Sequence, residues 1–546
     1  MIPRMAHCHE NAKKDGGAVQ SGRGRSNSVL RALTRVFPIL LLILANSHCT
    51  RPIRDPNTLV VAMSTFSEAT FLPWNGSTGR KFYLDTVYEY LVYLDPVSGE
   101  LRPGLAERWE MSKDGKVFTL WLRSGVAFHQ GWGEVTADDV KYTLDRIRDP
   151  KSIAGPASPL RKSIASVEAP ERNRVIVTLK TADIDFLRGY LSNGQIIPIV
   201  CKRYLAEKGD EFANAYPIGT GAFELESYKK GVSITVRAAP NAADHWRAHP
   251  EFNRIRFLAV PEEFTRAAML KTGEADLAPI NYDSIKALEH SGLRVMYVRH
   301  NWAPVIRFGG LTTRFTNPNV PWAKKEVRQA LNYALDKRTI VNAIFHDQAS
   351  IVGADFPARE WENIAPYEYD TKRARELLTQ AGFPNGFDMT LRTYTTTPGA
   401  ELQIVAETAA SYWRAVGVRV KIEPTSWPTL RGAWTTGATT DIAWTHRGLA
   451  FSGMLPGLQA SVMSASVFAS YANEKTDAWV QRISDELDPA ERARLTTALG
   501  EHLREEASAV FIGFANEPYA MSAKIGSWPA LSQQGTNIDL VTRRKD

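Results

Sequence analysis

Past residue 57 the spacing of apolar positions switches repeatedly between two and 3.6 residues, the signature of strands alternating with helices. Val117, Thr119, Trp121 and Arg123 alternate with Phe118, Leu120 and Leu122, and Val175, Val177 and Leu179 alternate with Ile176, Thr178 and Lys180, which predicts two strands. Val232, Ile234 and Val236 before Pro240, and Val418, Val420 and Ile422 before Pro424, predict two more. Thr136 followed by Asp139 is an acidic capping box, and Val140, Leu144 and Ile147 then share one face of a helix that stops before Pro150. From Lys325 to Phe345 a stripe of Val327, Ala330, Leu331, Ala334 and Leu335 predicts helix with a break or restart near Asp336 to Thr339. ELLTQAG closes at Gly382 before MTLRTY, and ASYWRAVG closes at Gly417 before VRVKIEP, so glycine caps two helices that feed strands. No fixed-period repeat of the solenoid kind is present, and the alternation points to mixed α/β layers.

At 546 residues the chain is too long for one hydrophobic core, and 44% apolar with 23% charged residues is a globular composition. The net charge of +7 suggests nucleic acid until it is divided along the chain. Residues 1–49 carry seven Lys or Arg against two acids, which leaves only +2 for the remaining residues, an ordinary mixed surface with no nucleic-acid partner expected. Within that basic segment, Arg31 and Arg35 precede the apolar run Val36 to Ala45 and then Asn46 to Thr50. A basic region, a short apolar core and a polar end describe an export signal, too short to span a bilayer. Residues 1–49 are therefore read as an N-terminal extension with a signal or lipoprotein-like segment, and 50–56 as a linker. Cys49 stands where a lipoprotein is acylated, although the residue before it, His48, is larger than that chemistry prefers; simple cleavage and an uncleaved anchor are the alternatives.

The motifs of catalysis are missing. There is no G-x-S-x-G elbow, phosphate loop, dinucleotide G-x-G-x-x-G or H-E-x-x-H. Gly219-Thr220-Gly221 is short for a phosphate cradle and reads as a tight turn entering a strand. His245 and His249 have the i, i+4 spacing of metal ligands, but Trp246, Pro250 and the lack of a third ligand favour a loop; no metal and no cofactor are expected. Fourteen tryptophans, with Trp427, Trp434 and Trp444 crowded together, are either core or the lining of an aromatic ligand cavity.

Several stretches, in order, resemble the family 5 bacterial extracellular solute-binding proteins, the dipeptide, oligopeptide and nickel type that serve ABC importers. They are LRPGLAERWE (Leu101 to Glu110), Asp114-Gly115 with FTLWLRSGVAFH (Phe118 to His129), TADDV (Thr136 to Val140), PIGTGAF (Pro217 to Phe223), GEAD (Gly273 to Asp276), VRQALNYALD (Val327 to Asp336), and Ala374 to Gly382 with Phe383. The resemblance implies an α/β, type II periplasmic binding protein-like fold, three-lobed with interleaved lobes and a hinged ligand cleft. Its expected division is lobe I at 57–84, 216–302 and 511–546, lobe II at 85–215, and lobe III at 303–510. It further implies a monomer, without enzymatic activity, that captures a peptide or a peptide-like or anionic solute and hands it to importer permease subunits at the inner membrane.

Carried onto this chain, the resemblance makes the loop after the first strand a ligand-contacting loop, with Phe66, Ser67, Glu68, Phe71 and Trp74 as candidates. Trp361, Trp427, Trp444, Arg447 and Phe451 are the candidates of lobe III. Peptide-binding relatives place an Asp in this last segment to neutralise the peptide ammonium. Here that position falls on Ala450 or on Arg447, and no Asp or Glu occurs between Ile442 and Asn473. A buried ammonium without a countercharge costs several kcal/mol, so the segment suits an anion on the planar fork of Arg447, with Glu68 as the acid that would restore an ammonium site. Two alternatives stay open: a metal or metallophore binder of the nickel type, for which the eleven histidines show no ligand set, and an exported enzyme on the same scaffold, for which no nucleophile and base are evident.

Overall fold

The computed structural model describes residues 55–545 apart from 67–69, 77–79, 97, 196, 355–358, 362, 395–400, 450–453 and 531–535. Cys49, Ser67, Glu68 and Phe451 lie outside the described residues. The first strand, β1 (Thr58–Met63, TLVVAM), is apolar throughout because strands flank it on both edges and both its faces are covered. The alternating segments then form a separate antiparallel sheet from β2 (Ala106–Met111), β3 (Val117–Leu122), β4 (Ile164–Glu171) and β5 (Arg174–Leu179), in the order β2–β3–β5–β4. Phe118, Leu120 and Leu122 of β3 and Val175, Val177 and Leu179 of β5 are the buried faces. Helix α1 (Ala137–Ile147) carries Val140, Leu144 and Ile147 into the same core, and its capping box forms: Asp139 accepts from both the Thr136 amide and its hydroxyl.

The chain then returns to the sheet of β1 through β6 (Phe223–Lys229), β7 (Ser233–Ala238) and β8 (Arg254–Ala259), followed by α2 (Glu263–Lys271), β9 (Leu277–Pro279) and the 15-residue β10 (Arg294–Phe308). The strand read from Val232 begins one residue later, so Val232 is exposed while Ile234 and Val236 are buried. The turn Gly219-Thr220-Gly221 packs directly on the backbone of residues 86 and 87: a Cβ on Gly219 would lie 1.9 Å from the Val87 carbonyl oxygen. It is a packing turn, as the sequence indicates. His245 is likewise buried, its Nε2 3.0 Å from the Thr220 carbonyl.

Beyond β10 come α3 (Lys325–Tyr333), α4 (Lys337–Phe345), α5 (Thr371–Gln380), β11 (Asp388–Tyr394), α6 (Glu401–Arg414), β12 (Arg419–Thr425), α7 (Trp427–Thr436) and β13 (Ala443–Leu449). The break expected after Leu335 is real: Asp336 caps α4 by accepting from the Thr339 amide. Gly382 and Gly417 take the left-handed backbone, with φ of 90° and 95°. The helix Pro489–Glu505 leads into β14 (Ala509–Phe511) and β15 (Phe514–Met521).

Among the described residues the main sheet has twelve strands, with the path β12–β11–β13–β10–β15–β9–β1–β8–β7–β6. Two strands in its middle join what would otherwise be separate sheets. β10 pairs through Arg294–Val298 with β15 and through Trp302–Phe308 with β13, and its register breaks between Val298 and Trp302. At that break His300 has a φ of 46°, a conformation a non-glycine residue adopts at a cost on the order of 1 kcal/mol. Apolar side chains gather into two large cores, one around the four-stranded sheet and β1, the other around α3 to α6, with a third formed by Trp361, Leu455, Leu458, Leu495 and Leu499.

Candidate functional site

A small cleft opens where the register of β10 breaks, lined by Arg266, Pro279, Ile280, Asn281, Tyr282, Trp302, Glu401, Arg447, Glu517 and Pro518. Its walls come from α2, the end of β9 and the turn after it, β10, the start of α6, β13 and β15. Six stretches of chain therefore converge there, which the two crossing strands make possible.

Arg447 reaches the cleft through strand alternation. Thr445 and Arg447 point to one face of β13, whereas Trp444 and His446 point to the other. On the cleft face, Arg447 Nη2 donates to Glu517 Oε1 at 3.1 Å, its guanidinium lies 4.9 Å from the Trp302 ring centre, and its main-chain amide donates to the Tyr394 hydroxyl. Arg447 Nε is buried and has no hydrogen-bond partner among the described residues. A guanidinium held in this way has the planar, forked donor geometry that suits a carboxylate or phosphate.

The other charged walls differ from it. Arg266 is fully buried, and it donates to the carbonyls of Val260, Pro261 and Pro279, so it ties the cleft wall together. Glu401 makes no ion pair with a described residue, and burial raises its carboxyl above the usual range, with Glu517 and Asp283 adding repulsion and Arg447 opposing it. Burial also pushes the Tyr282 phenol up; its hydroxyl donates to the Asn516 carbonyl at 2.7 Å.

On the opposite face, His446 stacks on Trp427 at 5.6 Å and meets Trp434 edge-on at 5.1 Å. Burial, with Arg307 and Arg447 near, holds its imidazole well below the usual range, so it is neutral. Trp444 is 1% exposed and packs on Trp434. The remaining sequence candidates fall into cores. Phe66 and Phe71 pack edge-on to Tyr83, Trp74 donates to Asp210 under the Arg146 guanidinium, and Trp361 is fully buried with Nε1 donating to the Thr496 carbonyl. Of the described candidates, Arg447 alone lines the cleft. Trp302, Tyr282, Glu401 and Glu517 were not singled out in the sequence. Glu517 had a signal, as the only charged residue in FANEPYAM; Glu401, the first residue of a helix, had none.

Residues 100–468 match the family model described as bacterial extracellular solute-binding proteins, family 5 middle. The chain belongs to that family. Family 5 consists of extracellular solute-binding proteins rather than enzymes, and this member is a solute-binding protein. Heme-binding protein A of Haemophilus influenzae is 28% identical over 75% of this chain and 78% of its own length. Glutathione-binding protein GsiB of Escherichia coli K12 is 29% identical over 74% of this chain and 79% of its own. The periplasmic binding protein DppA of Helicobacter pylori, solved with the peptide STSA, superposes with a TM-score of 0.75 at 23% identity, covering 89% of this chain and 98% of that one, which shows the type II binding-protein fold. Among the described residues no helix is long and apolar enough to cross a membrane, and no three His, Cys, Asp or Glu side chains gather as a metal site.

Proposed function

We propose that this family 5 protein is an exported capture subunit whose ligand is a peptide-like or anionic small solute, held by an acidic group on Arg447. The reading rests on one observation: a guanidinium inside the cleft, stacked on Trp302, with Nε buried and unpartnered. Peptide-binding relatives place an acid in this segment, whereas here that position falls on Ala450 or on Arg447 and the segment holds no acid, which changes the sign of the group it suits. Glutathione, the ligand in the name of the Escherichia coli relative, is a peptide with two carboxylates, a ligand chemistry that suits such an arginine. The lobes of this reading are 57–84, 216–302 and 511–546 for the first, 85–215 for the second and 303–510 for the third. Closure brings the first and third together on the ligand, and the importer permease receives the closed form. Export through the N-terminal segment, with a lipid on Cys49 holding the protein at the inner membrane, completes it, and the protein works as a monomer.

The test is the ligand that protein purified from its own cells retains, identified by native mass spectrometry, together with its affinity for Arg447→Ala. A retained solute bearing a carboxylate or phosphate is expected, and the substitution should weaken it at least tenfold, about 1.4 kcal/mol. A retained ligand without an acidic group, or an unchanged affinity, overturns the reading.

A further inference from the structure

We propose that Glu401 is the counter-charge for a cationic group of the ligand, so that the ligand is a zwitterion with its acidic end on Arg447 and its basic end on Glu401. This rests on the reading of Arg447 given above and extends it to the other end of the ligand.

Four ionisable side chains of fixed sign line the cleft, Arg266, Arg447, Glu401 and Glu517. Two of them are already committed. Arg266 Nε and Nη1 donate to three main-chain carbonyls, while its Nη2 is buried without a hydrogen-bond partner among the described residues, and Glu517 is bound to Arg447. Glu401 is different: it is half-buried, it lines the cleft, and no Lys, Arg or His of the described residues lies within ion-pair distance. A carboxylate kept in a cleft beside a second glutamate, with no cation of its own, is costly for the empty protein. A basic ligand group removes that cost and gains a charge-assisted hydrogen bond. The direction in which Glu401 titrates agrees. Burial, with Glu517 and Asp283 adding repulsion and Arg447 opposing it, raises the Glu401 carboxyl, and a bound cation would lower it again, so binding should release protons at any pH where the empty cleft still holds one. The position of Glu401 also explains how a chain with no acid between Ile442 and Asn473 can still accept an ammonium: the acid comes from the first turn of α6.

The experiment uses the full chain after export and three probes in isothermal titration: L-alanyl-L-alanine, its N-acetyl derivative and its C-terminal amide. The free dipeptide should bind, and each cap should weaken it at least tenfold. Glu401→Gln should weaken the free dipeptide at least tenfold, leave the N-acetyl derivative unchanged, and abolish the proton release read from buffers of different ionisation enthalpy. Equal affinity for the free and N-acetylated forms, unaltered affinity in Glu401→Gln, or no binding of the free dipeptide overturns the assignment of Glu401. If amidation has no effect while acetylation does, the reading of Arg447 falls and Glu401 stands.

Discussion

Trp361 was a ligand candidate in the sequence and is a core residue in the fold, and a pair of substitutions separates the two roles. Its indole is fully buried against the helix Pro489–Glu505, where Gly500 makes room for it. A Cβ on Gly500 would lie 2.6 Å from Trp361 Nε1 and 2.4 Å from the Ile364 side chain. In an open helix, alanine gains about 1 kcal/mol over glycine. Overpacking of this kind costs about 1–3 kcal/mol. Gly500→Ala should therefore be neutral or destabilising by up to ~2 kcal/mol in the native background. Trp361→Ala alone should cost about 3–5 kcal/mol through the cavity it leaves. In the Trp361→Ala background the indole contact is gone and the Ile364 Cδ1, the end of a flexible side chain, can turn into the vacated space, so Gly500→Ala should stabilise by up to about 1 kcal/mol and the pair couple by about 1–3 kcal/mol. A chain with several cores does not unfold in one step, so the readout is amide hydrogen exchange within residues 489–505, which measures the local opening of that helix. Gly500→Ala stabilising equally in both backgrounds would refute the packing argument. Loss of retained ligand in Trp361→Ala, with exchange in the helix unaltered, would return Trp361 to the binding site.

Two further outcomes follow from buried groups away from the cleft. Lys337 is 3% exposed, and among the described residues its ammonium donates only to Asn332 Oδ1 (3.2 Å) while facing the Tyr367 ring; burial, with Arg504 adding repulsion, lowers it to about 7. Its penalty is then absent above the unfolded value of 10.5 and complete below about 7, so stability should rise with pH across that window. Lys337→Met should flatten this rise and stabilise the region of α4 at pH 7 by on the order of 4 kcal/mol, read from amide hydrogen exchange within α4 at pH 6, 7 and 9. Gly219→Ala forces a Cβ into the Val87 carbonyl and should cost at least ~3 kcal/mol or abolish folding, measured as soluble yield and thermal midpoint.

What could be read in the sequence was whatever local periodicity encodes. Strands β3 and β5, the cap of α1 and the restart at Asp336 each lie within a few residues of the signal that announces them. Arg447 was legible for another reason: it stands in a segment where a resembling family carries an acid, so the exchange of sign is visible at one position. Its partner was not, because Glu517 lies 70 residues further on, and the two meet only after β10 has crossed from one pairing partner to the other. The tryptophans misdirect for a physical reason. An indole has a large apolar area and one donor, and a core that accepts the N–H satisfies it as well as a ligand cavity does; Trp322, Trp361 and Trp413 each donate to a main-chain carbonyl in this way. Trp444, whose Nε1 finds no partner, is the exception within that group, and it lies on the face of β13 opposite Arg447. A charged side chain cannot be hidden so cheaply, so in a binding protein the acids and arginines left in the cleft are better guides to the ligand than the aromatic residues of the sequence. By that criterion the wall formed by Glu401, Glu517 and Arg447 is the ground on which a solute with charges of both signs is proposed.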